Sequence, residues 1–483
     1  MNRPIVRLYG LVAVLFALLV AFTSRWTIFE ASSLRENPLN ARSLLQQERI
    51  QRGPIVAADG TVLAHSVRGA EGLYERFYPS GEQFAAPIGF SYPASVGSTG
   101  LERLRNEYLS GRSQNDLQSV LDQLQGKKPA GDKVITTLEP KPQLLAERAL
   151  AGHEGAVVAL DPRSGAVKVM ASSPGYDPNA LRTKAGRQQL ERETATRPPT
   201  RSLVNRATQF GYAPGSTFKV LTATAAIDSG AYTPESTVDG RNNVPISGVA
   251  LQNDEHASYG QITLTQALVH SVNTVWAQVA EHLGKATMAR YMERFGFDRK
   301  PELDYPAAQM SSSGEYRGNA LVAPTSEYVD IGRMGIGQDK LAVTPLQMAE
   351  IASAVANHGT LMAPHMTQRI VDAEGQTVKS IEPRVQAVVM KPSTAAAVTA
   401  MMEAVVREGT GTTAQIAGVR VAGKTGTAQT QFGNAINDAW FIAFAPAENP
   451  TIAVAVTLKA VPGQGATFAA PVAREVIESV LHG

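Results

Sequence analysis

Apolar residues run almost unbroken from Leu8 to Phe22, with Arg3 and Arg7 before them and Arg25-Trp26 after. The run is short for a spanning helix, which needs about 20 residues, but Ile5 and Val6 extend it if Arg7 snorkels. A cleaved signal peptide is the rival reading. No small-x-small site follows the run directly, and Ala31-Ser32-Ser33 lies well downstream, beyond Glu30. The pattern predicts a short cytoplasmic tail (1–7) and an uncleaved transmembrane anchor (8–25). Positive residues precede the run, so the bulk of the chain is expected outside the cytoplasm. After the anchor, Ser43 to Gln51 reads as a polar helix. Asp59-Gly60 is a hairpin turn signal between Ile55-Val56 and Val62-Leu63. Leu101 to Leu109 and Leu117 to Leu124 carry helical spacing. With few long apolar runs between 65 and 132, residues 26–150 are expected to form a separate, smaller module.

The texture changes at Gly155. Ala156 to Leu160 and Val167 to Ala171, separated by Asp161-Pro162-Arg163-Ser164-Gly165, predict a buried hairpin. Residues 181–201 are polar and read as a surface excursion. Phe218 to Ile227 is apolar nearly all round and stops at Gly230, which predicts a helix inside a large core. Ile262 to Leu283 is helical but broken near Ser271-Val272-Asn273-Thr274. Val419 to Ala422, Ala439 to Phe444 and Thr451 to Leu458 read as strands, and Ala470 to Leu481 as a final helix. Hairpins at both ends with helices between them imply an α+β domain over 151–483, one antiparallel sheet covered by helices.

Composition narrows the picture further. Of 483 residues, 43% are hydrophobic and 18% charged, and the formal net charge is +2, so neither disorder nor a polyanion-binding surface is supported. No nucleic-acid partner is expected. Cysteine is absent, which excludes a thiol nucleophile, Cys-based zinc and disulfides. No His or carboxylate cluster stands at metal spacing, so neither a metal nor a cofactor is expected.

Three short motifs carry the chemistry: Ser216-Thr217-Phe218-Lys219, Ser271-Val272-Asn273 and Lys424-Thr425-Gly426-Thr427. Each is weak alone. A chain this long yields roughly one or two Ser-x-x-Lys matches by chance, and Lys-Thr-Gly appears in roughly one chain in ten. Taken alone, Ser216 and Lys219 read as a capping serine and a surface lysine, Ser271-Val272-Asn273 as a helix cap, and Lys424-Thr425-Gly426 as a turn in an edge strand. In this order and setting they suit acyl transfer through serine without histidine. Ser216 and Lys219, three apart on a helix, share a face, and Pro214-Gly215 puts Ser216 at the helix N-terminus. Burial in an apolar helix, with Lys424 nearby, is expected to lower the Lys219 pKa, so that Lys219 serves as general base towards Ser216. Ser271 is placed to relay a proton to the leaving group, and Asn273 to orient Lys219 and hold a substrate amide. Thr425 and Thr427 point to one face of a strand, suited to a carboxylate, with Lys424 supplying charge and Gly426 allowing close approach. The N–H groups of Ser216 and Thr427 are expected to form the oxyanion hole.

With these motifs in order, the chain resembles the class B penicillin-binding proteins, the monofunctional D,D-transpeptidases of peptidoglycan synthesis. The likeness extends to Arg52-Gly53 through Asp59-Gly60 to Leu63-Ala64, and to Asn205-Arg206-Ala207 with Tyr212-Ala213-Pro214-Gly215. It continues in Gly335-Ile336-Gly337-Gln338, in Thr344-Pro345-Leu346-Gln347-Met348-Ala349, and in Ala439-Trp440-Phe441-Ile442-Ala443-Phe444-Ala445-Pro446. It covers about residues 35 to 480 and is most like the compact actinobacterial penicillin-binding protein A type. The resemblance implies a single-pass protein of the cell membrane. A pedestal (dimerisation-like) domain would be followed by an extracytoplasmic transpeptidase domain with a five-stranded antiparallel sheet and an all-helical lobe. It implies attack of Ser216 on stem peptides ending in D-Ala-D-Ala, release of D-Ala, transfer to a neighbouring amine, and acylation by β-lactams. It also implies a polytopic glycosyltransferase partner of the shape, elongation, division and sporulation (SEDS) class, acting in growth and division. Two rivals share the fold. A β-lactamase would need a positioned base for water, and its lone domain would be shorter. A non-catalytic β-lactam sensor or scaffold would need a signalling domain, or would have lost catalytic groups.

Overall fold

The computed structural model describes residues 2–25, 48–69, 72–92, 96–111, 130–195, 203–429 and 436–482. The expected helix at Leu117 to Leu124, and most of that at Ser43 to Gln51, lie outside the described residues. Helix α1 (Asn2–Ser24) is long and apolar enough over Pro4–Ser24 to cross a membrane. Its 21 apolar-segment residues make about 31 Å of helix, against a hydrocarbon core of about 30 Å.

The Asp59-Gly60 hairpin forms as expected. Strands β1 (Ile55–Val56) and β2 (Val62–Arg68) pair antiparallel, and Asp59 Oδ1 accepts the Thr61 N–H at 2.9 Å inside the turn. Strand β3 (Tyr74–Phe77) joins β2, and β4 (Lys133–Thr136) pairs parallel with β1. Beneath this sheet Glu102, fully buried, receives Arg52 at 2.6 Å and Arg76 at 2.5 Å. Burial pushes the Glu102 carboxyl up, but Arg76 and Arg52 outweigh it and hold the group below its ordinary range. Arg52 opens the likeness noted above; here it is a structural ion-pair partner.

Helix α2 (Pro140–Leu150) leads into β5 (Glu154–Leu160) and β6 (Val167–Ser173), the predicted buried hairpin. The polar excursion contains a largely exposed helix, α3 (Lys184–Ala195). The helical side follows in α4 (Lys219–Asp228), α5 (Leu264–Val269), α6 (Asn273–Arg294) and α7 (Pro345–Ala356). Then come β7 (Thr367–Val371), β8 (Thr377–Ser380), α8 (Pro392–Glu408), β9 (Ala422–Gln429), β10 (Asn437–Ala445), β11 (Ile452–Val461) and α9 (Gly465–Leu481).

Two sheets organise these elements. The larger domain has the expected five antiparallel strands, in the order β9-β10-β11-β5-β6. Side chains alternate between its faces. Val158, Trp440, Ile442 and Ala455 pack with α4 and the wholly buried α7. Val157, Phe441, Ala443 and Val456 pack with α9 and α2. Both faces being covered is why these strands read as continuous apolar runs. The second sheet has six strands, β8-β7-β4-β1-β2-β3, so residues 367–380 return to pair with the N-terminal module.

Two boundaries differ from the sequence expectation. The strand expected to start at Val419 begins only at Ala422; its expected extension through Lys424-Thr425-Gly426-Thr427 forms and continues to Gln429, paired residue for residue with β10. The final helix begins at Gly465, upstream of Pro471. An interior proline costs about 3 kcal/mol, which the packing of α9 on β10 and β11 offsets.

Candidate active site

The approach to Ser216 is tied down on three sides. Tyr212 exchanges backbone hydrogen bonds with Val343 at 3.0 and 2.8 Å. The buried Trp440 indole donates to the Ala213 carbonyl at 3.0 Å. The Gly215 N–H donates to the Gly337 carbonyl at 2.9 Å. Gly337 stands at φ +76°, and a Cβ there would come within 2.0 Å of the Gly215 oxygen. Only glycine suits that backbone and that approach. From this clamp a 3-10 turn, Gly215–Phe218, carries Ser216 and runs directly into α4.

Lys219, the first residue of α4, is fully buried. Its Nζ donates to Asn273 Oδ1 at 2.6 Å, to the Ser271 carbonyl at 2.7 Å and to Ser271 Oγ at 3.3 Å. Burial drives its pKa well below the ordinary lysine value; repulsion from Lys424 adds to the shift and attraction from Asp254 opposes it.

The break between α5 and α6 is built, not frayed. Ser271 sits at φ +55°, in the left-handed region that costs a non-glycine residue roughly 1 kcal/mol or more. Asn253, buried, accepts the Thr274 N–H at 3.0 Å and the Thr274 hydroxyl at 3.1 Å, and the Trp276 indole donates to the Ala267 carbonyl at 3.1 Å. Asn273 Nδ2 donates to the Gln252 carbonyl at 3.2 Å, which leaves Oδ1 for Lys219. Both flanking helices and the 252–253 segment therefore hold Ser271 and Asn273.

Strand β9 closes the other wall. A Cβ on Gly426 would meet Pro214 O at 2.8 Å, Thr217 Cγ2 at 2.9 Å and Trp440 Cβ at 2.9 Å, so the strand lies directly against the nucleophile turn. Lys424, fully buried, donates to Ser271 Oγ at 2.9 Å and to the Thr425 carbonyl at 3.0 Å. Burial brings its pKa down to about 7. Ser271 Oγ thus stands between the two lysine nitrogens.

A cleft of about 440 Å³ opens over these groups, lined by Ser216, Ser271, Asn273, Thr425 and Thr427. Lys219 and Lys424 lie beneath it, and Gly426 forms its contact with the nucleophile turn. The structure brings all eight sequence-selected residues together. Gln338, from the Gly335-Ile336-Gly337-Gln338 segment, also lines the cleft, and sequence reasoning missed others, among them Asp254, Arg333, Thr410 and Gln464. None belongs to a local motif; tertiary packing brings them in.

The arrangement suits acyl transfer through Ser216, and comparison with known proteins places the chain in a family of transpeptidases. Residues 155–478 match the penicillin binding protein transpeptidase domain, and residues 52–134 match the penicillin binding protein A dimerisation domain. The chain belongs to the penicillin-binding transpeptidase family. It is 34% identical to the peptidoglycan D,D-transpeptidase PbpA of Mycolicibacterium smegmatis, over 100% of this chain and 99% of that one. Its fold is similar to penicillin-binding protein A from M. tuberculosis in an imipenem acyl-enzyme complex, with TM-score 0.81 and 32% identity over 90% of this chain and 100% of that one. It is also similar to the D,D-transpeptidase domain of a peptidoglycan glycosyltransferase from Eggerthella lenta, with TM-score 0.77 and 31% identity over 90% and 99% of the two chains.

Proposed function

We propose that this protein is a serine-type peptidoglycan D,D-transpeptidase. The observation that carries the reading is the buried Lys219, held by Asn273 and Ser271 on the first turn after Ser216 and kept short of its charge by burial and Lys424. A neutral Lys219 takes the Ser216 proton as the serine oxygen attacks the carbonyl of the penultimate D-Ala in a stem peptide. The N–H groups of Ser216 and Thr427 receive the oxyanion. The proton then passes through Ser271 Oγ, which lies 3.3 Å from one ammonium and 2.9 Å from the other, to the departing D-Ala nitrogen. The C–N bond breaks, D-Ala leaves, and an amine of a neighbouring stem peptide takes the acyl group from Ser216 as its proton returns by the same route. Thr425 and Thr427 bind the donor's terminal carboxylate, with Lys424 as the charge behind them. A β-lactam acylates the same serine.

The wider reading has the same footing. Helix α1 anchors the chain by a single pass, with the catalytic domain outside the membrane. Residues 26–150 form the pedestal and 151–483 the transpeptidase domain, with strands 367–380 joining the pedestal sheet. A SEDS-class glycosyltransferase is the expected partner of anchor and pedestal. Release of D-Ala from a peptide ending in D-Ala-D-Ala, in the presence of an acceptor amine, tests the activity. The reading requires release that Ser216→Ala abolishes; release unaffected by that change would refute it. Protease accessibility of the catalytic domain in intact spheroplasts checks the topology, and recovery of a polytopic glycosyltransferase from the solubilised membrane complex checks the partner.

A further inference from the structure

The hydroxyl of Thr410 lies 2.7 Å from that of Thr425, closer than the Lys424 nitrogen at 3.4 Å. Thr410 belongs to the loop after α8 and lines the same cleft as Ser216. Its own N–H donates to the Val269 carbonyl at the end of α5, at 3.3 Å. It therefore bridges the helix that leads into Ser271 and the strand that carries Thr425.

A threonine hydroxyl has one proton and two acceptor sites. Lys424 Nζ already stands 3.4 Å from Thr425 Oγ1, and an ammonium can only donate. Either hydroxyl can donate in this pair; in the arrangement where Thr410 donates, both acceptor sites of Thr425 are taken. The Thr425 proton is then left to point elsewhere, and the open direction is the cleft that Thr425 and Thr427 line.

We propose that Thr410 is a positioning residue for the substrate's terminal carboxylate, acting by aiming the Thr425 O–H at it. The inference rests on the transpeptidase reading above and adds a residue to its carboxylate site. Without Thr410, Thr425 is free to turn its proton towards a protein acceptor, and the hydrogen bond to the carboxylate is lost or must be recovered by rotation. One charge-assisted hydrogen bond of this kind corresponds to about tenfold or more in a rate constant.

The test compares acylation of the full-length wild type, Thr410→Val and Thr410→Ser by benzylpenicillin and by its methyl ester, which lacks the carboxylate. Second-order rate constants are read from the mass adduct. The proposal predicts about tenfold slower acylation of Thr410→Val by benzylpenicillin, near-normal acylation of Thr410→Ser, and the same slow rate with the ester in all three. Wild-type rates with benzylpenicillin in Thr410→Val would overturn it. So would equal losses with acid and ester, which mark general damage to the loop. Absence of a Ser216 adduct in the wild type would overturn the transpeptidase reading, and this inference with it; a normal rate in Thr410→Val alone leaves that reading standing.

Discussion

Replacing Lys424 by methionine should move the pH dependence of acylation in a defined direction. The two ammonium nitrogens lie 3.3 and 2.9 Å from the same Ser271 oxygen, so they are no more than about 6.2 Å apart. At an effective dielectric of about 20, two unit charges at that separation repel by about 2.7 kcal/mol. That repulsion disfavours the charged form of Lys219, so the charge on Lys424 adds to the lowering that burial imposes on its pKa. Acylation needs neutral Lys219, and its acid limb therefore follows that pKa. In Lys424→Met the acid limb should move to higher pH. The wild type should also lose activity as Lys424 discharges near its pKa of about 7, and the variant should lack that second limb. The assay is the second-order acylation rate with a fluorescent penicillin between about pH 4 and pH 11, a range that brackets the lowered and ordinary lysine values. The plateau will fall as well, because a donor to Ser271 has gone, but the position of the limb is the diagnostic. An acid limb that stays in place, or moves to lower pH, would refute the electrostatic account of Lys219.

Other consequences can be checked on the same protein. The folded-state pKa of Lys219 is depressed below its unfolded value of about 10.5, so the unfolded chain binds more protons and wild-type stability rises with pH across that window. The melting-temperature gain of Lys219→Met over wild type should be largest in acid and shrink towards pH 10.5, as calorimetry would show. Gly426→Ala should cost about 1–3 kcal/mol through overpacking against Pro214 and Thr217. It should also slow acylation by up to about 100-fold by shifting the wall of the cleft. Trp440→Phe leaves the Ala213 carbonyl without its indole donor, and urea melts should register a loss of about 1–3 kcal/mol.

The sequence pattern reached most of what is local. Asp59-Gly60 and the 161–165 turn announced their hairpins, and the apolar helix after Ser216 announced its burial. The interruption at Ser271-Val272-Asn273 was legible because Ser and Asn break a helical repeat there. Its cause was not legible: it depends on Asn253, Trp276 and a left-handed Ser271. Strand β9 was expected to run through Lys424-Thr425-Gly426-Thr427, as it does, but was started too early at Val419; pairing with β10 sets its start at Ala422. The return of 367–380 to the N-terminal sheet is a non-local pairing that no local pattern encodes. The same holds for Thr410 and Gln464, which reach the cleft from loops without a motif of their own.

The central claim is that Ser216 is the acylated nucleophile. Intact-mass measurement after incubation with benzylpenicillin, followed by peptide mapping, tests it most directly. The account predicts a single stable adduct on the peptide containing Ser216, absent from Ser216→Ala. An adduct on another residue, or no adduct on correctly folded wild-type protein, would contradict it.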